Sequence, residues 1–301
     1  MKAVITGANS FIGRCLSDCL YRSGWDVVQV VRKQSGDAGS GGRQVCLSME
    51  EYERLGNVAG GCDCFIHLAW NGTRGTTRMD ATRQQQNVTY SLMGIQSMLL
   101  TGCGRVITAG SQAEYGPHVD MITEESPCHP NTEYGKAKLA FYERASQLCD
   151  SYGVDLKEPR FFSLYGPHDF EGTMIAQILA DMCSDRPCNL TEGIQKWDFL
   201  YISDAVDALL GLCQYDCPNG VYNFGSGDVR LLRDYVKEMA EITGTRSELR
   251  FGAVPYPDTG MVSLWPDVSR LKQVLNWAPK VSFADGIRNI LTSMKENKMS
   301  L

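Results

Sequence analysis

The sequence begins with an apolar strand pattern that runs directly into a turn bounded by two glycines. Residues 4–13 read VITGANSFIG. Gly7 permits a sharp turn off the strand and Gly13 permits close packing of the next helix, whose first N–H groups and dipole favour a pyrophosphate. The pattern predicts a dinucleotide-binding turn formed by Gly7, Asn9, Ser10, Phe11, Ile12 and Gly13. The Ser10 hydroxyl can donate to a phosphate or cap the helix.

A second apolar segment follows after one helix length and completes the spacing of a βαβ unit. We expect a helix over 14–23 and a strand over 26–31. In NAD-binding proteins an acidic residue usually ends this strand and hydrogen-bonds the adenosine ribose. Arg32 and Lys33 stand here instead, and their charges favour a 2′-phosphate. The sequence therefore predicts NADP(H) rather than NAD(H), with a solvated basic turn as the alternative.

Composition favours a soluble globular enzyme. The 301 residues are 43% hydrophobic, enough to bury a large core in one domain or two closely joined ones. A net charge of −6 argues against a nucleic-acid polymer as partner. No run approaches the roughly 18 apolar residues of a membrane span, and the N-terminus shows no leader pattern. We expect a cytoplasmic protein that binds neither nucleic acid nor membrane.

The cysteines and histidines show no metal-ligand spacing. Twelve cysteines and four histidines are scattered along the chain, and no CxxC pair occurs. We interpret the cysteines as reduced thiols that serve mainly as small core residues, and we expect no metal site.

Further apolar runs at 64–70 and 105–109 flank a helical stretch at 87–100. Apolar strands that alternate with helices predict a doubly wound α/β fold, with a parallel sheet covered on both faces. Ligands then bind beyond the carboxyl ends of the strands, where Trp70 and Ser111 also lie.

From about Gly166 the elements become shorter and mixed. We expect a dinucleotide-binding domain over 1–165, to which residues 196–227 return. Residues 166–195 and 228–301 are expected to form a smaller substrate-binding lobe that packs against the strand ends.

Tyr134 and Lys138 are four residues apart at the start of a helical segment, so one helix face carries both. A lysine ammonium beside a phenol favours the phenolate and lowers the tyrosine pKa, which suits proton exchange. Ser111 stands 23 residues earlier, at a strand end that opens on the same crevice. An ordinary helix bearing Tyr and Lys is the alternative when that spacing is considered alone.

Gly7, Gly13, Ser111, Tyr134 and Lys138, in this order, resemble the extended short-chain dehydrogenase/reductases, which include nucleotide-sugar epimerases, dehydratases and ketoreductases. The resemblance covers nearly the whole chain. Further matching strings lie at 67–69, 165–167, 197–204, 220–223 and 266–279.

The resemblance implies a Rossmann fold and a role for each catalytic residue. Ser111 would orient the substrate carbonyl, Tyr134 would transfer the proton, and Lys138 would lower the tyrosine pKa and bind the nicotinamide ribose. It also implies that Leu68 and Ala69 contact the cofactor and that the protein is a homodimer.

The two residues that follow Ser111 argue against some of the activities found in the family. Family 4,6-dehydratases carry an Asp-Glu pair where this chain has Gln112 and Ala113, which cannot supply an acid and a base. The epimerising GDP-fucose synthases place a cysteine at the second position. A ketoreductase with exchangeable NADPH or an epimerase with retained NAD remains, and Arg32 favours the first. We predict reduction of a 4-keto (6-deoxy) sugar nucleotide, with a non-sugar carbonyl reductase or a non-catalytic NADP sensor as further alternatives.

The positions that bind substrate phosphates in the family differ here. Ser163 replaces the usual Asn, Trp197 replaces an Arg, and the segment 260–265 lacks the common arginine. Lys196 and Arg230 are then the nearest candidate cations, each with a solvated surface position as the alternative. The expected substrate-binding set is Trp70, Gln112, Ser163, Lys196 and Arg230.

Overall fold

The computed structural model describes residues 1–33, 41–256 and 261–299. The strands are β1 (Lys2–Thr6), β2 (Asp26–Val31), β3 (Arg43–Cys46), β4 (Cys64–His67), β5 (Arg105–Thr108), β6 (Gly110–Ser111), β7 (Asp155–Phe161), β8 (Ser163–Tyr165), β9 (Cys188–Leu190), β10 (Lys196–Trp197), β11 (Phe199–Tyr201), β12 (Gly220–Phe224), β13 (Arg230–Leu231) and β14 (Leu249–Phe251). The helices are α1 (Phe11–Arg22), α2 (Leu55–Ala59), α3 (Ala81–Leu100), α4 (Glu133–Tyr152), α5 (Met174–Met182), α6 (Ile202–Gln214), α7 (Leu232–Thr243), α8 (Ser269–Leu275) and α9 (Phe283–Met299). Short 3₁₀ segments lie at Met49–Arg54, Gly75–Met79 and Gln112–Glu114.

The large sheet is parallel and runs β3-β2-β1-β4-β5-β7-β12, with β6 also paired to β7. From β1 the chain builds outward to β2 and β3, then crosses back to β4 on the other side of β1. Thr6 at the end of β1 pairs with Val30 on one side and His67 on the other. The strand order reverses beside β1, which is where doubly wound sheets bind ligands. The predicted doubly wound α/β fold is confirmed.

Helices cover both faces of the sheet, so its central strands β1, β2, β4 and β5 are largely apolar and buried. In β1, Ala3 and Ile5 join one core cluster with α1 and α6, while Val4 joins a second with α3 and α4. Phe65 of β4 and Phe141 of α4 belong to the second cluster. A strand buried on both faces loses the alternation of a half-exposed strand, as the sequence pattern indicated.

The second half of the chain adds three two-stranded sheets, β8-β11, β9-β14 and β10-β13. An aromatic cluster links β8, β10 and β11 to α7 and α9, with the Tyr235 and Phe283 rings 4.6 Å apart. Within the expected smaller lobe, α8 packs on α6 and β12. Leu275 of α8 fills the space over Gly211 of α6, where a Cβ would lie 3.0 Å from it.

None of the helices in the described ranges has the length and apolarity needed to cross a membrane. Across the same ranges, no three His, Cys, Asp or Glu side chains are grouped to hold a metal ion. All twelve cysteines are free thiols.

Candidate active site

The glycines of the first turn permit contacts that a side chain would block. Gly7 has φ of +68°, and a Cβ there would lie 2.9 Å from the backbone N of Ala69. A Cβ on Gly13 would lie 2.2 Å from the carbonyl oxygen of Gly7. The end of β1, the start of α1 and the segment after β4 therefore approach one another closely only because both residues are glycine.

The N-terminus of α1 offers two free amide donors. Ser10 caps the helix, since its Oγ accepts the N–H of Gly13 at 3.1 Å. In the described part of the chain, no acceptor takes the N–H of Phe11 or Ile12. Unpaired donors at a helix N-terminus fit the pyrophosphate of a dinucleotide. Two roles were predicted for the Ser10 hydroxyl, a donor to phosphate or a helix cap, and in this structure it caps the helix.

Arg32 and Lys33 directly follow β2, and both are exposed. Neither forms an ion pair with a carboxylate in the described ranges. Leu68 and Ala69 follow β4 on the other side of β1, and the Leu68 N–H donates to the Thr6 carbonyl at 3.2 Å. The predicted cofactor residues thus surround the switch point of the sheet.

Ser111, Tyr134 and Lys138 meet beyond the ends of β5 and β7. The Ser111 side chain lies close enough to the Tyr134 phenol to act toward lowering its pKa. The Nζ of Lys138 donates to the Ala109 carbonyl at 2.8 Å and lies 3.7 Å from the centre of the Trp70 ring. Tyr134 and Lys138 are 8% and 3% exposed, so the proton-transfer groups are nearly shielded from water.

Burial dominates the ionisation of both groups. It raises the pKa of the Tyr134 phenol, while the Ser111 side chain and the charge of Arg78 act in the opposite direction. Burial also lowers the pKa of Lys138 to about 8, although Glu114 and Glu158 favour its charged form. The Lys138 ammonium is directed to the Ala109 carbonyl and the Trp70 ring, and its effect on the tyrosine pKa stays a prediction.

A buried charge network lies beneath these residues. Arg160 Nε lies 2.9 Å from a Glu114 oxygen and 3.1 Å from a Glu158 oxygen. The other Glu114 oxygen accepts the Ser111 N–H at 2.7 Å. Burial and the neighbouring Glu114 raise the pKa of Glu158 well above its usual range. The network holds the backbone of Ser111, and its carboxyl groups are committed to internal contacts.

A crevice of about 910 Å³ lies next to this site, although Ser111, Tyr134 and Lys138 are not among the residues that line it. Trp70 and Ser163 line it, as do the cofactor-turn residues Ser10, Phe11 and Ile12. The Trp70 ring meets the Tyr134 ring edge-on at 6.4 Å, so Trp70 separates the phenol from part of the crevice.

The other predicted substrate residues lie elsewhere. Lys196 stacks on the Trp265 ring at 3.4 Å and lines a different pocket. Arg230 pairs with Asp228 at 2.8 Å and with Glu238 at 2.7 Å. Gln112 begins a 3₁₀ segment beside Ser111 and is not among the residues that line the crevice. The structure thus brings Trp70 and Ser163 to the crevice but directs both predicted cations away from it.

Two arginines absent from the predicted set do line the crevice. Arg78 lies 4.6 Å from the centre of the Tyr134 ring, and Arg74 lies 4.4 Å from the centre of the Phe170 ring. They occupy the polar loop after β4, where neither hydrophobic periodicity nor a motif distinguishes them. The available signal was their position just past a strand end in a doubly wound sheet.

This geometry agrees with the comparison to known families. The model of the NAD dependent epimerase/dehydratase family matches residues 3–225. The chain belongs to this family. It is therefore an NAD(P)-dependent enzyme of the extended short-chain dehydrogenase/reductase type, as the motifs indicated.

Relatives in the family match along almost the full chain. The dTDP-6-deoxy-L-talose 4-dehydrogenase (NAD(P)(+)) of Kitasatospora kifunensis is 26% identical, over 97% of this chain and 95% of its own length. CDP-abequose synthase of Salmonella muenchen is 23% identical over 98% of each chain. The structure of UDP-glucose 4-epimerase from Thermotoga maritima with UDP-glucose has a TM-score of 0.87 at 22% identity, covering 99% of this chain and 100% of that one. At this identity the structural likeness establishes the fold alone.

Proposed function

We propose that this enzyme reduces a 4-keto-6-deoxy sugar nucleotide with NADPH to a deoxysugar nucleotide. The observation that carries the proposal is the grouping of Ser111, Tyr134 and Lys138, the last two nearly buried, behind the Trp70 and Arg78 side chains that line the crevice. The names of the full-length relatives, a 4-dehydrogenase of a dTDP-6-deoxy sugar and a CDP-abequose synthase, support the substrate class.

The chain's residues fit a reductase mechanism. The free Phe11 and Ile12 amides would hold the cofactor pyrophosphate, and NADPH would supply the hydride. Ser111 would donate a hydrogen bond to the substrate carbonyl oxygen, and Tyr134 would deliver the proton to that oxygen as the alcohol forms. Lys138, charged below its pKa of about 8, would stabilise the resulting phenolate. Burial keeps water away from these groups.

Reduction is favoured over elimination because the crevice offers no free acid–base pair. Ala113 is apolar and buried, and the Glu114 carboxylate is held by Arg160 and by the Ser111 N–H. Among the described residues that line the crevice, Asp169 is the one carboxylate, and it faces Arg74. A dehydratase needs an acid and a base beside the sugar.

A preference for NADPH follows from Arg32 and Lys33. Both are exposed and have no partner carboxylate in the described ranges, so their charges are available to a 2′-phosphate. Arg32→Ser should weaken NADPH binding about 10-fold and leave NADH binding unchanged, as measured by cofactor fluorescence. Arg22→Ser, at an exposed arginine near the end of α1, is the matched control. Equal loss of both cofactors would contradict this role for Arg32.

A 4-epimerase with retained NAD is the second candidate. The observation in its favour is a relative described as an uncharacterized UDP-glucose epimerase from Bacillus subtilis, 24% identical over 78% of this chain. The two candidates differ in cofactor use, because an epimerase returns the hydride and consumes none.

Turnover with a substrate panel tests the proposal. The full-length protein should oxidise NADPH when given a 4-keto-6-deoxy sugar nucleotide, with the base varied across the panel. Tyr134→Phe should reduce turnover about 10³-fold while NADPH affinity stays within about twofold. NADPH binding without turnover on any member of the panel would instead favour a non-sugar carbonyl substrate or a sensor. We further expect a homodimer located in the cytosol.

A further inference from the structure

The loop after β4 is held in one shape by two buried amides of α3. Gln84 Nε2 donates to the carbonyls of Gly72 at 2.8 Å and Thr77 at 3.0 Å, and Gln84 Oε1 accepts the Trp70 indole N–H at 2.8 Å. Asn87 exchanges two hydrogen bonds with the backbone of Asn71, at 3.0 and 2.8 Å. Gln84 and Asn87 are 1% and 2% exposed. Such anchoring keeps the loop ordered before a ligand arrives, which reduces the entropy cost of binding.

The anchored loop carries Arg74 and Arg78 into the crevice with most of their donors unused. A guanidinium has five N–H donors. That of Arg78 makes one long contact, 3.5 Å to the Thr73 carbonyl, and rests on the Tyr134 ring. That of Arg74 has one long ion pair, 3.4 Å to Asp169. Among the residues that the structure describes, neither arginine has the close bidentate carboxylate partner that would satisfy it.

Among the described residues, Arg74 and Arg78 are the cations that line the crevice. Lys196 and Arg230 make their contacts elsewhere. We propose that Arg74 and Arg78 together bind an oxyanion of the substrate. This proposal rests on the proposed function for the substrate class. In the proposed 6-deoxy sugar nucleotide the oxyanion is the diphosphate, because carbon 6 of the sugar is a methyl group and carries no carboxylate. The two guanidinium charges match the two negative charges of the diphosphate.

Binding of nucleotides to the full-length protein tests the proposal without requiring turnover. Uridine and thymidine diphosphates would be titrated calorimetrically into the wild type, Arg74→Met, Arg78→Met and Arg78→Lys. Each Met variant should weaken diphosphate binding about 10-fold or more, and the Lys variant less, because lysine keeps the charge but not the fork. Arg54→Met is the control, since Arg54 pairs with Glu51 at 3.2 Å and does not line the crevice.

Asp169→Asn supplies a test with the opposite sign. The Asp169 carboxylate competes with a bound diphosphate for Arg74, whereas the uncharged amide of asparagine would not. The Asp169→Asn variant should therefore bind the diphosphates several-fold more tightly. A merely structural role for the Arg74–Asp169 pair predicts weaker or unchanged binding instead. Melting temperature and NADPH affinity, both expected to stay near wild type, check that each variant is folded.

Two sources of the oxyanion give different results. Weaker diphosphate binding in the Met variants identifies the diphosphate. Unchanged diphosphate binding together with lost discrimination between UDP-glucuronic acid and UDP-glucose identifies a sugar carboxylate, and with it a substrate other than the proposed 6-deoxy sugar. If neither changes, or if the wild type binds none of these nucleotides, the proposal is overturned. Failure of the proposed reduction would appear in turnover and leave these affinities untouched.

Discussion

Lys138→Met removes a buried charge but keeps most of the side-chain stem. Burial lowers the pKa of Lys138 from 10.5 to about 8. Each pKa unit is worth about 1.4 kcal/mol, so at neutral pH the buried ammonium costs the folded state about 3 kcal/mol relative to the unfolded chain. Met occupies a similar volume and carries no charge. We therefore expect Lys138→Met to raise the free energy of unfolding by up to about 3 kcal/mol while abolishing turnover.

The sign of the pH dependence follows from the lowered pKa. Between about pH 8 and 10.5 the native lysine has lost its proton and the unfolded lysine has not. The unfolded state binds more protons there, so wild-type stability rises with pH across this window relative to the variant. Near pH 9.5 burial of the Lys138 ammonium still costs the folded state about 1.4 kcal/mol. The gain in stability from Lys138→Met should therefore be about 2 kcal/mol smaller at pH 9.5 than at pH 7.

Urea unfolding followed by tryptophan fluorescence, near pH 7 and near pH 9.5, measures both quantities. The control is Lys136→Met on the same helix, because Lys136 is exposed and pairs with Glu133 at 2.7 Å. Lys136→Met should show neither the gain in the free energy of unfolding nor its dependence on pH. A Lys138→Met protein that is less stable than wild type at both pH values, or whose difference does not change with pH, would refute the reasoning. The contacts with Ala109 and Trp70 would then outweigh the cost of burying the charge.

Two further predictions concern residues near the cofactor turn. Burial lowers the pKa of His67 to about 3, and its ring nitrogens lie 2.8 Å from the hydroxyls of Thr6 and Ser91. Since the unfolded histidine binds a proton below about pH 6.5, wild-type stability should fall by about 1.4 kcal/mol per pH unit below that point, and His67→Gln should lack this component in urea titrations between pH 6 and 5. Gly13→Ala should abolish NADPH binding and lower the melting temperature, because its Cβ would lie 2.2 Å from the Gly7 carbonyl oxygen. Retained NADPH affinity in Gly13→Ala would show that the turn can shift to accept a methyl group.

The sequence allowed the parts of the fold with strong local signals to be predicted. The strand and glycine turn around Gly7 lie where the pattern placed them, and β2 matches the expected 26–31. The helix between them begins at Phe11, three residues before the expected start. Each of these elements combines a buried apolar run with a residue type that ends it. β3 was missed because Arg43 and Cys46 are exposed and the strand has little apolar character. α3 was expected from Asn87 but begins at Ala81, because its first turns are polar and its Asp80 cap gives no periodic signal.

The candidate site could be predicted from sequence only where the spacing of two residues along the chain places their side chains together. Tyr134 and Lys138 share a helix face, so their proximity followed from sequence. The ion pairs of Arg230 depend on how Glu238 of α7 turns toward it, and the place of Arg78 depends on the loop fixed by α3. Such contacts join distant segments, and no local pattern encodes them. The buried Glu114–Arg160–Glu158 network was missed for the same reason.

The fate of the hydride tests the central claim most directly. NADPH carrying deuterium at the transferred position would be incubated with the purified protein and a 4-keto-6-deoxy sugar nucleotide, and the product analysed by NMR and mass spectrometry. Reduction predicts one deuterium at carbon 4 of the sugar and one NADPH oxidised for each product formed. Interconversion of sugar epimers with no deuterium incorporated and no NADPH consumed would contradict the account and identify an epimerase.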